Sequence, residues 1–145
     1  MKCLLQRVKE AQVHIDGKLF SSIGQGILVF VCAEHGDNEE TVKKAVDKIL
    51  KLRIFSDADD KMNLSLQQIS GSLLVISQFT LAADASRGNR PSFTNAANPT
   101  DGEALYEYFL AYARSQHDEV ACGSFGANMQ IHLINNGPVT IPLEF

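Results

Sequence analysis

Apolar residues recur with two different periods along this chain of 145 residues, and the switches between them predict its elements. "CLLQRVKEAQVHI" (Cys3–Ile15) alternates loosely, the two-residue period of a strand, and Gly17 marks a turn after it. "GQGILVFVCA" (Gly24–Ala33) is a continuous apolar run bounded by glycines, which predicts a buried strand. In "DNEETVKKAVDKILKLRIF" (Asp37–Phe55) the period becomes helical: Val42, Ala45, Val46, Ile49 and Leu52 share one face, with Asp37 and Glu40 as a capping box. Leu73–Ile76 reads as a further strand buried on both faces. Thr100 and Glu103 form a second capping box, and Leu105, Phe109 and Tyr112 continue one helical face. At the end, strands "QIHLIN" and "PVTIPLEF" flank a sharp turn, "NNGP", as an antiparallel pair. The order is strand, strand, strand, helix, strand, helix, strand, strand. It predicts an α/β fold with a mixed sheet, and the length suits one domain, residues 1–145.

Two segments between these elements carry possible chemistry. "FSDADDKMN" (Phe55–Asn63) faintly resembles a calcium loop through Asp57, Asp59 and Asp60. It lacks the twelve-residue spacing, the central Gly and the closing Glu, so it reads as a solvated turn. "ADASRGNRPSFTNAANP" (Ala83–Pro99) is long for a compact domain and carries Arg87, Arg90 and Phe93. Loops of that length are usually functional or mobile.

Composition narrows the classes. With 45% hydrophobic and 21% charged residues the chain is globular. No apolar run reaches the roughly 20 residues of a membrane helix, and the N-terminal run is too short for a signal-peptide core, so a cytoplasmic location with no membrane partner is expected. Cys3, Cys32 and Cys122 form no spaced framework and read as reduced thiols. Cys32 and His35 are three apart, with no CxxC or second His to complete a metal site. No metal or cofactor is expected, although a thiol hydrolase built on that pair stays an alternative. The net charge of −4 argues against a broad nucleic-acid footprint but leaves room for contact with one end of a nucleic acid.

Three polar islands interrupt the apolar frame: Ser77-Gln78-Phe79-Thr80, "GSFGANM" (Gly123–Met129) and "NNGPVT" (Asn135–Thr140). Singly, each is explained by strand ends and turn chemistry. Together they offer hydroxyls, a neutral amide and exposed backbone, groups that bind polar substrates and stabilise an oxyanion. No Ser/His/Asp arrangement, carboxylate pair or Gly-rich phosphate loop stands beside them.

"SQFTL" (Ser77–Leu81) and "NNGPVT" resemble the two signature motifs of the D-aminoacyl-tRNA deacylases, also called D-tyrosyl-tRNA deacylases. "QRV" (Gln6–Val8), "AQVHIDG" (Ala11–Gly17), "RIFSDADDKMNLSL" (Arg53–Leu66), "GNRPSF" (Gly88–Phe93) and "FGANM" (Phe125–Met129) resemble the same family in the same order. The resemblance implies a homodimer of single-domain subunits with barrel-like layers of mixed sheet and two main helices. It implies hydrolysis of the ester between a D-amino acid, or mischarged glycine, and the 3′-terminal ribose of tRNA. It places each active site at the subunit interface, where the Gly137-Pro138 turn of one subunit enters the site of the other and excludes L side chains.

The same resemblance assigns Ser77, Gln78, Phe79 and Thr80 to the catalytic floor, with Gly137 and Pro138 as the chiral filter and Phe125 and Met129 as apolar walls for the terminal adenosine. Arg7 and Arg90 are candidates for interface or phosphate contacts. Arg87 stands where the family often has Lys and receives no role, because Arg and Lys differ at a bidentate site. Thr80 has no base beside it in the sequence, so water is the expected nucleophile, with the ribose 2′-hydroxyl assisting proton transfer. A noncatalytic dimeric module that binds RNA ends through residues 87–95 is the competing reading.

Overall fold

The computed structural model describes residues Met1–Phe145. Strand β1 (Lys2–Ile15) runs antiparallel to β2 (Lys18–Ile23). Their link is Asp16-Gly17, with φ of 51° and 73°. Positive φ at both central residues is what a tight hairpin matching the strand twist needs, and Asp-Gly supplies it. β3 (Gly26–Cys32) pairs with the first half of β1, while β2 pairs with the second half. β6 (Ser72–Ser77) lies parallel to β3, and β7 (Val120–Cys122) lies parallel to β6. The parallel crossovers carry helices α1 (Glu39–Lys51) and α2 (Pro99–Gln116), as parallel strands require. β2 folds back towards β7, where Ser21 Oγ donates to the Cys122 carbonyl at 2.7 Å. This gives the mixed sheet its barrel-like curl.

β6 is buried on both faces, as its apolar run predicts. Leu73 and Val75 join Leu5, Ile27 and Val29 in the layer under Val46 and Ile49 of α1 and Phe109 and Leu110 of α2. Leu74 and Ile76 point the other way, into a second cluster with Val8, Val13 and Leu28 inside the curl. Each fully buried aliphatic side chain of this kind contributes roughly 1.5–3 kcal/mol. β3 and β6 approach closely at their start: a Cβ on Gly26 would lie 1.8 Å from the Ser72 carbonyl oxygen.

Three local expectations are corrected, and the solvated acidic turn is found at the tip of a short hairpin. Helix α1 is capped by Asn38, which accepts from the Glu40 and Thr41 amides at 3.0 and 3.1 Å. Asp37 is drawn away to the buried amino group of Met1 at 2.8 Å and to the Glu34 amide at 2.7 Å. Helix α2 is capped by Asn98, which accepts from the Asp101 amide at 3.0 Å, with Pro99 in the first turn, so Thr100 is already inside the helix. The acidic segment holds a small hairpin, β4 (Phe55–Ser56) with β5 (Met62–Leu64). Asp57 closes it by accepting from the Asp59 and Lys61 amides and from Asn63 Nδ2.

The last correction concerns the C-terminus. "QIHLIN" and "PVTIPLEF" do not pair with each other. They are two parts of one strand, β8 (Gln130–Glu144), and both lie antiparallel to β1. Val8 faces Asn135 and Gln6 faces Thr140, so two steps along β1 match five along β8. The three surplus residues form a bulge that carries Gly137-Pro138, whose peptide bond is cis. Turn residues inside a ladder make a bulge when the partner strand is long enough to take up both arms.

Candidate active site

A cavity of about 790 Å³ opens where β3 and β6 end. Both strands point their carboxyl ends at it, because they are parallel, and such ends are where open α/β sheets bind ligands. β3 contributes Val31 and Cys32, and β6 contributes Ile76 and Ser77, followed by Gln78 and Phe79. The opposite wall comes from Asn98, Gly102 and Tyr106 of α2 and its cap, and from Phe125–Met129.

The polar end of β6 has a definite geometry. The Gln78 amide extends the ladder to the Val31 carbonyl at 2.8 Å. The chain then enters a 3-10 turn, Phe79–Ala82. Leu81 N donates to the Gln78 carbonyl at 3.2 Å and Ala83 N to the Thr80 carbonyl at 3.1 Å. The first amides of such a turn, those of Phe79 and Thr80, have no carbonyl within it to receive them. Gln78 Nε2 donates to Thr80 Oγ1 at 2.5 Å. Thr80 is exposed beside the cavity rather than lining it.

The wall opposite is fixed by Tyr106. Its hydroxyl, on a side chain 4% exposed, donates to the Val75 carbonyl at 2.9 Å and the Gly123 carbonyl at 3.3 Å. Burial pushes its ionisation well above the usual phenol range. Its ring lies 5.8 Å from that of Phe125. Gly123 leaves room for Met129: a Cβ there would come within 2.6 Å of the Met129 sulfur. Phe125 and Met129 are therefore presented to the cavity by Tyr106 and Gly123. Helical spacing gave no sign of Tyr106, because only the tertiary contact to Val75 and Gly123 sets it apart from the other apolar residues of α2.

Ser77, Gln78, Phe79, Phe125 and Met129 are thus brought together. Gly137 and Pro138 are not: the bulge is exposed and lies outside the cavity of its own chain. Arg7 braces the bulge, with Nε donating to the Asn136 carbonyl at 2.9 Å and Nη1 to the Ile54 carbonyl at 2.5 Å. Thr140 Oγ1 donates to Gln6 Oε1 just beyond it. Gly137 has φ of 131°, a conformation that favours glycine. Arg90 lies on the exposed loop after the 3-10 turn.

Cys32 and His35 both line the cavity. The Cys32 thiol is turned towards the carbonyls of Ala33 and Phe79, at 3.4 and 3.5 Å. Burial, reinforced by the Glu34 charge, raises its ionisation above the ordinary thiol range. A thiol held this way is protonated at neutral pH and is a poor nucleophile.

Fold and site together define an α/β enzyme whose polar groups are backbone amides, hydroxyls and a neutral amide at strand ends, set in an apolar cavity. The family model for D-Tyr-tRNA(Tyr) deacylase matches residues 4–144, and the chain belongs to this family of hydrolases. It is 59% identical over 144 residues to the D-aminoacyl-tRNA deacylase of Azoarcus sp. (strain BH72), covering 99% of this chain and 95% of the relative. It is 60% identical over 149 residues to the protein of that name from Polaromonas naphthalenivorans, covering 99% and 97%. Among solved structures, the c-Myc DNA unwinding element binding protein superposes with a TM-score of 0.96 at 38% identity, covering 100% of this chain and 99% of its own.

Proposed function

We propose that residues 1–145 act as one domain that hydrolyses the ester joining a D-amino acid to the 3′-terminal ribose of tRNA. Glycine, having no side chain to exclude, is also released, and the reaction takes place in the cytoplasm. The observation that carries this reading is the meeting of Ser77, Gln78 and Phe79 with an apolar cavity at the carboxyl ends of β3 and β6, with Thr80 beside it. The terminal adenosine lies against Phe125 and Met129. The ester carbonyl points at the Phe79 and Thr80 amides, which stabilise the oxyanion as water attacks. Gln78 orients the substrate, Ser77 supports the strand end, and the ribose 2′-hydroxyl helps to move the proton to the leaving oxygen.

The chiral filter needs a second copy of the chain. The bulge stands outside its own cavity, exposed and braced by Arg7. In a homodimer it closes the partner's cavity, placing Gly137 and Pro138 where an L side chain would go. A rigid backbone closes that space with little loss of entropy. Arg90 serves as an interface or phosphate contact.

The test is deacylation of D-Tyr-tRNA, L-Tyr-tRNA and Gly-tRNA by the purified protein with chelator present. Fast release from the D and glycyl species with the L species spared is expected. Equal release of D and L removes the filter, and release from none leaves the RNA-end binding module in its place.

A further inference from the structure

The cavity carries two aromatic pairs with different surroundings. Tyr106 and Phe125 form the enclosed one. At the rim, Phe79 meets Phe93 nearly edge to face, with ring centroids 5.1 Å apart and planes at 72°. Phe79 is 59% exposed, among the most exposed large apolar side chains of the chain. Both rings line the cavity, and both are tethered by backbone. Phe79 begins the 3-10 turn. Phe93 follows the Asp84–Ser92 bridge, with 2.8 Å hydrogen bonds in both directions, and its carbonyl accepts from the Ala96 amide at 3.1 Å. An apolar ring held this firmly at the mouth of a polar-floored cavity marks a surface that a ligand covers.

We infer that the Phe79–Phe93 pair is the stacking platform for the nucleobase immediately before the terminal adenosine. The inference rests on the deacylase reading. With the ester at Gln78–Thr80 and the terminal nucleoside against Phe125 and Met129, the RNA strand leaves the cavity across the rim. There Phe79 presents its ring from the residue whose amide faces the ester. The edge-to-face contact covers one ring face and leaves others free for a base. Stacking of this kind accepts any base, because every base has a π-face, so it suits an enzyme that must treat many tRNAs alike. Arg87 and Arg90, exposed on the same loop as Phe93, supply positive charge along the exit.

The test compares kcat/KM on two minimal esters, D-Tyr-adenosine and D-Tyr-cytidylyl-adenosine, for the wild-type protein, Phe93→Leu and Phe93→Tyr. The wild type should prefer the dinucleotide about tenfold, within the range of one base stacked on one ring. Phe93→Leu should lose most of that preference and Phe93→Tyr should keep it. A dinucleotide abasic at the first position should behave with the wild type as the full dinucleotide does with Phe93→Leu. An unchanged preference in Phe93→Leu overturns the inference. So does an equal loss on both esters, which would put the rings against the terminal nucleoside or a second copy of the chain. Wild-type hydrolysis of both esters at the same rate overturns the platform alone, whereas hydrolysis of neither ester nor of D-Tyr-tRNA overturns the deacylase reading with it.

Discussion

Gln78 Nε2 and Thr80 Oγ1 lie 2.5 Å apart, with the amide donating to the hydroxyl. An amide removes no proton at neutral pH whichever way it is turned, so the group nearest Thr80 cannot activate it as a nucleophile. The proposed role of Thr80 is that of an orienting group, and losing one such hydrogen bond costs about 1 kcal/mol. Thr80→Ala should therefore keep turnover within about tenfold of wild type. Single-turnover kinetics with mass spectrometry should trap no threonyl ester; a stable ester on Thr80 would overturn this assignment.

The Cys32 thiol gives a prediction with a sign. Its ionisation is raised by burial, so the thiolate is scarce at neutral pH and gains population only above the ordinary thiol range. Alkylation of Cys32 by iodoacetamide, followed by peptide mass spectrometry, should be slower at pH 7.5 than that of an unfolded control and should accelerate at alkaline pH. Cys32→Ser should remain active, since the hydroxyl can still donate to the carbonyl that the thiol faces.

Tyr106→Phe removes the hydrogen bond to the Gly123 carbonyl at the start of the wall that holds Phe125 and Met129. A buried acceptor left unpaired costs about 1–3 kcal/mol. The expected result is a KM raised about fivefold with kcat nearly unchanged, the signature of disturbed substrate binding. A fall in kcat at constant KM would point instead to loss of folded enzyme.

Gly26 has no room for a side chain, since its Cβ would fall 1.8 Å from backbone oxygen of Ser72. Gly26→Ala must push β3 away from β6 at the base of the sheet. Chemical denaturation should show a loss of at least about 3 kcal/mol, the upper part of the range for overpacked cores. Gly24, with nothing within 4 Å of its Cβ position, should tolerate the same change and serves as the control.

Salt dependence tests the size of the RNA contact. The chain carries a net charge of −4, and the proposed grip is on the terminal nucleotides. With about three phosphates contacted, log(kcat/KM) against log salt should have a slope of about −2 or shallower, at roughly −0.7 per contact for a single strand. A slope several times steeper would mean that the body of the tRNA is held as well.

The elements of this protein are determined by short-range physics and can be read from its sequence. The apolar runs within Gly24–Ala33 and at Leu73–Ile76 read as buried strands and are found as such, and the helical spacing of Val42, Val46 and Ile49 fixes the buried face of α1. Gly17 marks the turn after the first strand, which the structure shows as a tight Asp16-Gly17 hairpin. The polar end of β6 stands out because Ser77, Gln78 and Thr80 break an apolar run, and the family is legible in the two motifs.

The tertiary structure decided what depends on distant partners. Asp37 has the chemistry of a cap, but the Met1 amino group and Glu34 amide draw it away, and Asn38 takes the role. "NNGP" has the chemistry of a hairpin turn, but β1 is long enough to pair with both arms, so the turn residues become an exposed bulge. Tyr106 looks like one more apolar residue of α2 until its hydroxyl is seen to join Val75 to Gly123. Phe79 and Phe93 are fourteen positions apart and meet only because the intervening loop returns to the strand end. Local sequence sets which conformation each segment prefers, whereas the competition for a carboxylate, a strand edge or a buried carbonyl is settled only when the whole chain has folded.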